Sequence, residues 1–334
     1  MATSTPGPPG VDRTPPPGFE SYAAESLPQS PAGAVGKGGT LDLRFARGRD
    51  GQSRLVYDRA TVPFHLTGGL YHDEALPDVA SAYVQDPTGG IAQGDRYEAT
   101  VTVGTDARAH VTTGSATKVL RMERNYGASN VAIEVDDGGY LEYLPEPTIL
   151  HEGSRFWGTV DIDLAPDAAV LYADVVVPGR LARDEAFAFE RLHTSVEARM
   201  DGKELFADAV CLDGGDESRG PGLFGEFRVL GTFYVVAPGH GDVETLADDL
   251  HACVQGDGAD GTDAGDDEDD EDDGAGEGER PRAVGGASVL PREAGVAIRV
   301  LGDRSSDVTD RFHRVWDRAR RALVGSGAPD GRKF

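Results

Sequence analysis

From Leu41 onward the chain alternates apolar and polar residues in short runs, and Gly, Asp or Pro interrupts them about every 8–12 residues. Residues 41–46, 97–103, 131–135, 140–144 and 156–164 are such runs. In the second, Tyr97, Ala99, Val101 and Val103 share one face while Glu98, Thr100 and Thr102 share the other. Period-2 alternation places successive side chains on opposite faces of a strand, so each run is read as half-buried. Repeated at this spacing, the runs predict an all-β fold of stacked or sandwiched antiparallel sheets. Two segments break the rule. Residues 243–254 and 307–324 have helical spacing, clearest in Val308, Phe312, Val315, Trp316, Ala319 and Leu323. Ser305 or Ser306 is the expected N-cap of the second helix, and Arg318, Arg320 and Arg321 sit where the helix dipole favours cations.

Composition sets the domain limits. Residues 1–37 are rich in Pro and Gly, lack a hydrophobic period and are expected to be a disordered tail. Residues 256–279 hold 13 Asp or Glu and no Lys or Arg. A disordered acidic insertion is therefore expected at about 255–282, inside one β domain spanning 38–325, with a short tail at 326–334. Over the whole chain 58 acidic residues face 32 basic ones, and only Lys37, Lys118, Lys203 and Lys333 are lysines. Such a balance suits a protein kept soluble in strong salt and disfavours nucleic acid, whose phosphates need clustered cations. No run approaches the ~20 apolar residues of a membrane span. The start of the chain lacks the basic and apolar regions of a signal peptide, so a cytoplasmic location is expected. Cys211 and Cys253 have no zinc-type spacing and are read as buried or incidental thiols.

Enzyme signatures are missing. There is no phosphate loop, nucleophile elbow or zinc helix. Ser115 and Lys118 form an SxxK without its partner motifs. Glu142 and Glu146 on an extended strand would stand ~13 Å apart at ~3.3 Å per residue, beyond the ~5–9.5 Å of glycosidase acids. A non-catalytic protein is expected.

Five segments in order carry a more specific signal: SAYVQDPTGGIAQGD from Ser81, TTGSATKV from Thr112, LEYLPEPTI from Leu141, GRLARDEAF from Gly179, and VLGD from Val300 ahead of the Trp316 helix. Together they resemble the UreD (UreH) family of urease accessory proteins, in a form like those of haloarchaea, from about residue 38 to 325. Gly114, Tyr143 and Asp184 depart from residues frequent in that family. The resemblance implies a many-stranded, β-helical or sandwich-like fold with two short α-helices, one near the C-terminus. It also implies a scaffold that acts with UreF, and through UreF with UreG, to deliver nickel to apo-urease, holding no permanent cofactor. A conduit must bind its ion weakly at spaced sites, and oxygen ligands release nickel faster than imidazole or thiolate cages. On that footing Asp95, Glu142, Asp174 and Glu185 are the expected transient nickel ligands. Gly89, Gly90, Gly94, Thr112, Thr113, Thr117, Lys118, Pro145, Pro147 and Arg180 are expected to shape the passage. Two other functions stay open at this point: a clamp between UreF and urease that binds no metal, and a β-helical carbohydrate-active enzyme.

Overall fold

Alternation along the chain becomes seventeen strands in the computed structural model, which describes residues 13–27, 38–255 and 281–329. In chain order they are β1 (Gly38–Arg47), β2 (Ser53–Ala60), β3 (His65–Leu70), β4 (Ala80–Gln85), β5 (Arg96–Val103), β6 (Arg108–Thr113), β7 (Thr117–Val119), β8 (Gly127–Val135) and β9 (Tyr140–Tyr143). After these come β10 (Thr148–Leu150), β11 (Arg155–Leu164), β12 (Ala169–Val177), β13 (Arg191–Met200), β14 (Lys203–Asp213), β15 (Val229–Val236), β16 (Ala283–Val289) and β17 (Gly295–Gly302). The helices are α1 (Glu20–Ala23), α2 (Val243–Gln255) and α3 (Ser305–Val324).

One sheet runs β14-β13-β11-β8-β5-β1-β2, and the other follows β16-β17-β15-β12-β9-β6-β4-β3 with β7 and β10 beside it. Apart from the short β7 and β10, successive strands from β4 to β13 alternate between the two sheets and wind as coils of a solenoid. The predicted antiparallel pairing is corrected here: β1, β5, β8, β11 and β13 are parallel neighbours, as are β4, β6, β9 and β12. Alternation reports which face a side chain takes, and it carries no information about strand direction. The sheet ends do pair antiparallel, at β1–β2, β13–β14, β12–β15–β17–β16 and β3–β4.

Parallel coils in register stack like positions into rows. Leu43, Val101, Ile133, Ile162 and Ala198 form one such row across five strands, all buried between the sheets. Burying each large aliphatic side chain of the row contributes ~1.5–3 kcal/mol. On the outer face of the larger sheet α2 and α3 cover a second core that includes Phe233, Val300, Leu250, Phe312 and Trp316. The α3 cap differs from the expected serine: the helix starts at Ser305, and Asp307 accepts the Arg304 backbone N–H at 2.9 Å.

The expected N-terminal tail is corrected in part. Residues 13–27 lie across the outer face of the smaller sheet, where Phe19 is buried edge-on to Tyr22 and Tyr126 and beside Trp157. Arg155 stacks on the Tyr22 ring and pairs with both Glu25 and Glu190. Proline-rich composition hid two aromatic anchors. The rest of 1–37, and the acidic stretch at 256–280, lie outside the described residues. At the C-terminal end, the start of the expected 326–334 tail is tied down, with the Ala328 backbone N–H donating to Asp317.

Ile133 stands on the middle strand of the seven and is 1 % exposed. Ile133→Ala is expected to cost about 2–5 kcal/mol, read as a lowered urea midpoint in high salt with unchanged slope.

Candidate functional site

One row of the solenoid is not aliphatic. Next to the Leu41–Ala99–Val131–Val160–Val196 row stands Gly39–Tyr97–Ser129–Gly158–Thr194, in register across the same strands. Ser129, Gly158 and Thr194 of that row leave space between the sheets beside the Tyr97 ring. The result is a cavity of about 200 Å³, lined from the other sheet by Val111, Thr113, Tyr143, Tyr172 and Asp174. One end is rimmed by the two loops quoted from the sequence, with Asp86, Gly89, Gly90, Ser115, Thr117 and Lys118 on its wall. Gly90 sits at φ +129°, and an added Cβ would fall 2.3 Å from the Lys118 carbonyl oxygen, which accepts the Ile91 N–H. Only glycine lets these two loops meet.

Asp174 stands in the wall of this cavity. Its carboxylate is pushed up to about 6 by burial, which the neighbouring Thr194 side chain offsets only in part. Burial together with Asp174 pushes the Tyr143 phenol to about 12. Tyr143, Tyr172, Tyr234 and Phe206 stack in a column beside the acid, with neighbouring ring centroids 5.6–5.9 Å apart. The cavity therefore combines one poorly solvated carboxylate, several hydroxyls and an aromatic wall.

Of the sequence-predicted ligands, Asp174 alone lines this space; the other three are placed elsewhere. Asp95 is buried at a turn, accepting the Ala92 N–H at 2.9 Å and the Tyr97 hydroxyl at 3.3 Å. The same hydroxyl reaches Asp86 at 3.2 Å, and Asp86 does line the cavity. Glu185 forms a two-point pair with Arg180 beside the turn Leu181–Arg183, and that cation lowers its pKa. Glu142 points away from the cavity because its neighbours Leu141 and Tyr143 take the inner face. Of the shaping residues, Gly89, Gly90, Thr112, Thr113, Thr117, Lys118 and Pro145 border the cavity, whereas Gly94, Pro147 and Arg180 do not. Gly94 opens the Asp95 turn at φ +78°, and Pro147 gives its carbonyl to the Thr117 N–H. Asp86, Ser129, Gly158 and Thr194 were missed, although Asp86 stands inside the quoted DPTGG segment.

Glu142 instead belongs to a buried polar cluster under α3. Its oxygens meet His110 Nδ1 at 2.8 Å, the Tyr140 hydroxyl at 2.8 Å and Arg320 Nε at 3.2 Å. Arg320, fully buried, also donates to Asp73 at 2.6 Å, and His110 stacks on Trp316. Burial pushes the Glu142 pKa up, and the His110 hydrogen bond together with the Arg320 charge outweighs it, leaving the pKa lowered. This carboxylate is satisfied, and it fastens the C-terminal helix to the sheet. Among the described residues no group of three or more His, Cys, Asp and Glu is placed to hold a metal ion.

Two outcomes distinguish the satisfied acid from the unsatisfied one. Arg320→Met strands Asp73 and Glu142 without their buried cation and is expected to cost about 3–5 kcal/mol by chemical denaturation. Asp174→Asn is expected to stabilise. An acid raised from 3.8 to about 6 carries no cost when protonated in both states, a growing cost from about pH 4 to 6, and a constant one above. The variant should gain at most about 3 kcal/mol at pH 7.5, less where water fills the cavity, and the gain should vanish by about pH 4.

Comparison with known proteins bears on the whole chain. A family model described as UreD urease accessory protein matches residues 37–333. The urease accessory protein UreD of Haloarcula marismortui is 47% identical over 96% of this chain and 98% of its own length. UreD of Natronomonas pharaonis is 43% identical over 96% of this chain and 99% of its own. UreD 2 of Streptomyces griseus is 34% identical over 93% and 99%. With the family model spanning both sheets, the cavity and the helix-fastening cluster, the chain belongs to the UreD family of urease accessory proteins.

Proposed function

We propose that the protein is a non-catalytic maturation factor that passes nickel through the inter-sheet cavity toward apo-urease. The observation that carries this reading is Asp174, an acid kept in the cavity wall although its ionisation opposes folding. A divalent cation beside it would offset that cost, because an adjacent positive charge favours the ionised carboxylate. Hydroxyls of Thr113, Thr117, Ser129 and Thr194 line the cavity together with Asp86 and offer weak, exchanging oxygen contacts. Nickel is cargo in this account, and no cofactor is held permanently.

UreF, with UreG behind it, is the partner on the delivering side, and apo-urease receives the ion. The setting is cytoplasmic and rich in salt, in keeping with the acidic composition. No described helix is long and apolar enough to cross a membrane. A clamp that touches no metal has one observation in its favour. Val56, Tyr57, Val62, Leu70 and Tyr71 are exposed large apolar residues within a short stretch of chain around β2 and β3. Such a grouping marks a contact surface.

Asp174→Asn and Gly158→Val separate the two. A Cβ at Gly158 would meet Phe156 and Thr194 at 3.3 Å each, so valine narrows the cavity without removing a ligand. Both variants are expected to assemble with the partners and urease at normal yield. Nickel per urease and urease activity in the native host should fall at least several-fold. Normal activation by both would remove the passage and leave the clamp, whereas failure of assembly would place the defect in docking.

A further inference from the structure

We propose that His193 and Cys211 form a surface metal site, a two-donor anchor for a borderline-soft divalent cation of the Ni2+, Cu2+ or Zn2+ class. The proposal does not depend on the passage through the cavity. In the antiparallel pair β13–β14 these residues stand directly opposite one another. Their neighbours Leu192 and Leu212 are buried, so the pair takes the outer face. His193 Nδ1 lies 3.2 Å from Cys211 Sγ, and the thiol is free of any disulfide.

That separation suits a shared metal. With metal–sulfur and metal–nitrogen bonds of ~2.3 and ~2.05 Å, donors 3.2 Å apart subtend about 95° at the ion. The angle lies between the ~90° of a square-planar centre and the ~109° of a tetrahedral one. Ladder bonds on both strands hold the two Cα atoms, so little ordering is left for binding to impose. Thiolate and imidazole are also the ligand types that nickel, copper and zinc prefer over carboxylate.

The local charges fix how the site would work. Burial lowers the His193 pKa, which keeps the ring neutral near pH 7; with its proton on Nε2, the Nδ1 lone pair is available. Burial raises the Cys211 pKa, so the cation must displace the thiol proton. The balance is one cation and one Cys–SH giving one metal–thiolate bond and one released proton. Occupancy therefore rises with pH. Asp213, two residues on along the same face, is held by Arg191 at 2.6 Å and is not a ready third donor. Water takes the remaining positions, and exchange stays fast. The next residue, Thr194, lines the cavity together with Asp174. The site and the cavity thus lie on opposite faces of one strand.

The test uses the full-length chain in concentrated salt, titrated with NiCl2 alone while thiolate-to-nickel absorption and proton release are followed. One equivalent should produce the band and release one proton, and ZnCl2 should then displace the nickel. Cys211→Ser should abolish the band, and His193→Ala should weaken binding about tenfold or more. Cys253→Ser and Asp174→Asn should leave it unchanged. Both positions of the pair face outward, and circular dichroism of each variant checks that it folds. A band that survives Cys211→Ser, disappears in Cys253→Ser, or never forms would overturn the proposal. Loss of activation in Asp174→Asn with the band intact would leave this site standing and bear on the passage alone.

Discussion

Register between parallel coils is the constraint on which the other features rest. Once β5, β8, β11 and β13 pair in step, the residue at one height on one strand is fixed beside its counterparts on the others. A row of Val, Ile and Leu then fills the space between the sheets, and where the next row carries Ser129, Gly158 and Thr194 the space stays open. The cavity is consequently a property of several strands at once. No loop has to be held open to make it, and the flanking aliphatic rows supply the burial that offsets a gap of this size.

Two acids, Glu142 fully buried and Asp174 half-buried in the cavity wall, show how the same residue class serves different ends. Glu142 is met by a histidine, a tyrosine and an arginine, and its charge is matched where it sits. Burying charge is tolerable when each oxygen has a partner, and truncation of one partner then exposes the full cost. Asp174 has a threonine beside it and an aromatic column along one side, so its ionised form is poorly compensated. A fold that retains such an acid loses stability at neutral pH. Sites held for function commonly carry that kind of cost.

Arginine does most of the ionic work. Arg13, Arg155, Arg180, Arg191, Arg299 and Arg320 each pair with a carboxylate, and several of these pairs join elements distant in sequence. In strong salt, charges separated by more than a few Å are screened, while direct two-point pairs are less affected. Asp208 is an example: it takes Arg299 with both oxygens and the Tyr234 hydroxyl as well, tying β14 of one sheet to β15 and β17 of the other.

The sequence by itself determined which residues alternate, where several of the strands and the two longer helices run, and which stripe of α3 turns inward. These follow from backbone periods that hold wherever the chain goes. Through the family resemblance it also pointed to Asp174 and to the loops whose residues line the cavity. Tertiary structure alone decided strand direction, because alternation is the same for parallel and antiparallel neighbours. It decided that Phe19 and Tyr22 anchor a stretch whose prolines suggested a tail. It turned Glu142 away from the cavity, since the outer face of its strand lies beneath a helix more than 160 residues later. Ser129, Gly158 and Thr194 line a cavity together although about thirty residues separate each from the next. Nothing local marks them, because a row across a sheet exists only after the coils have stacked.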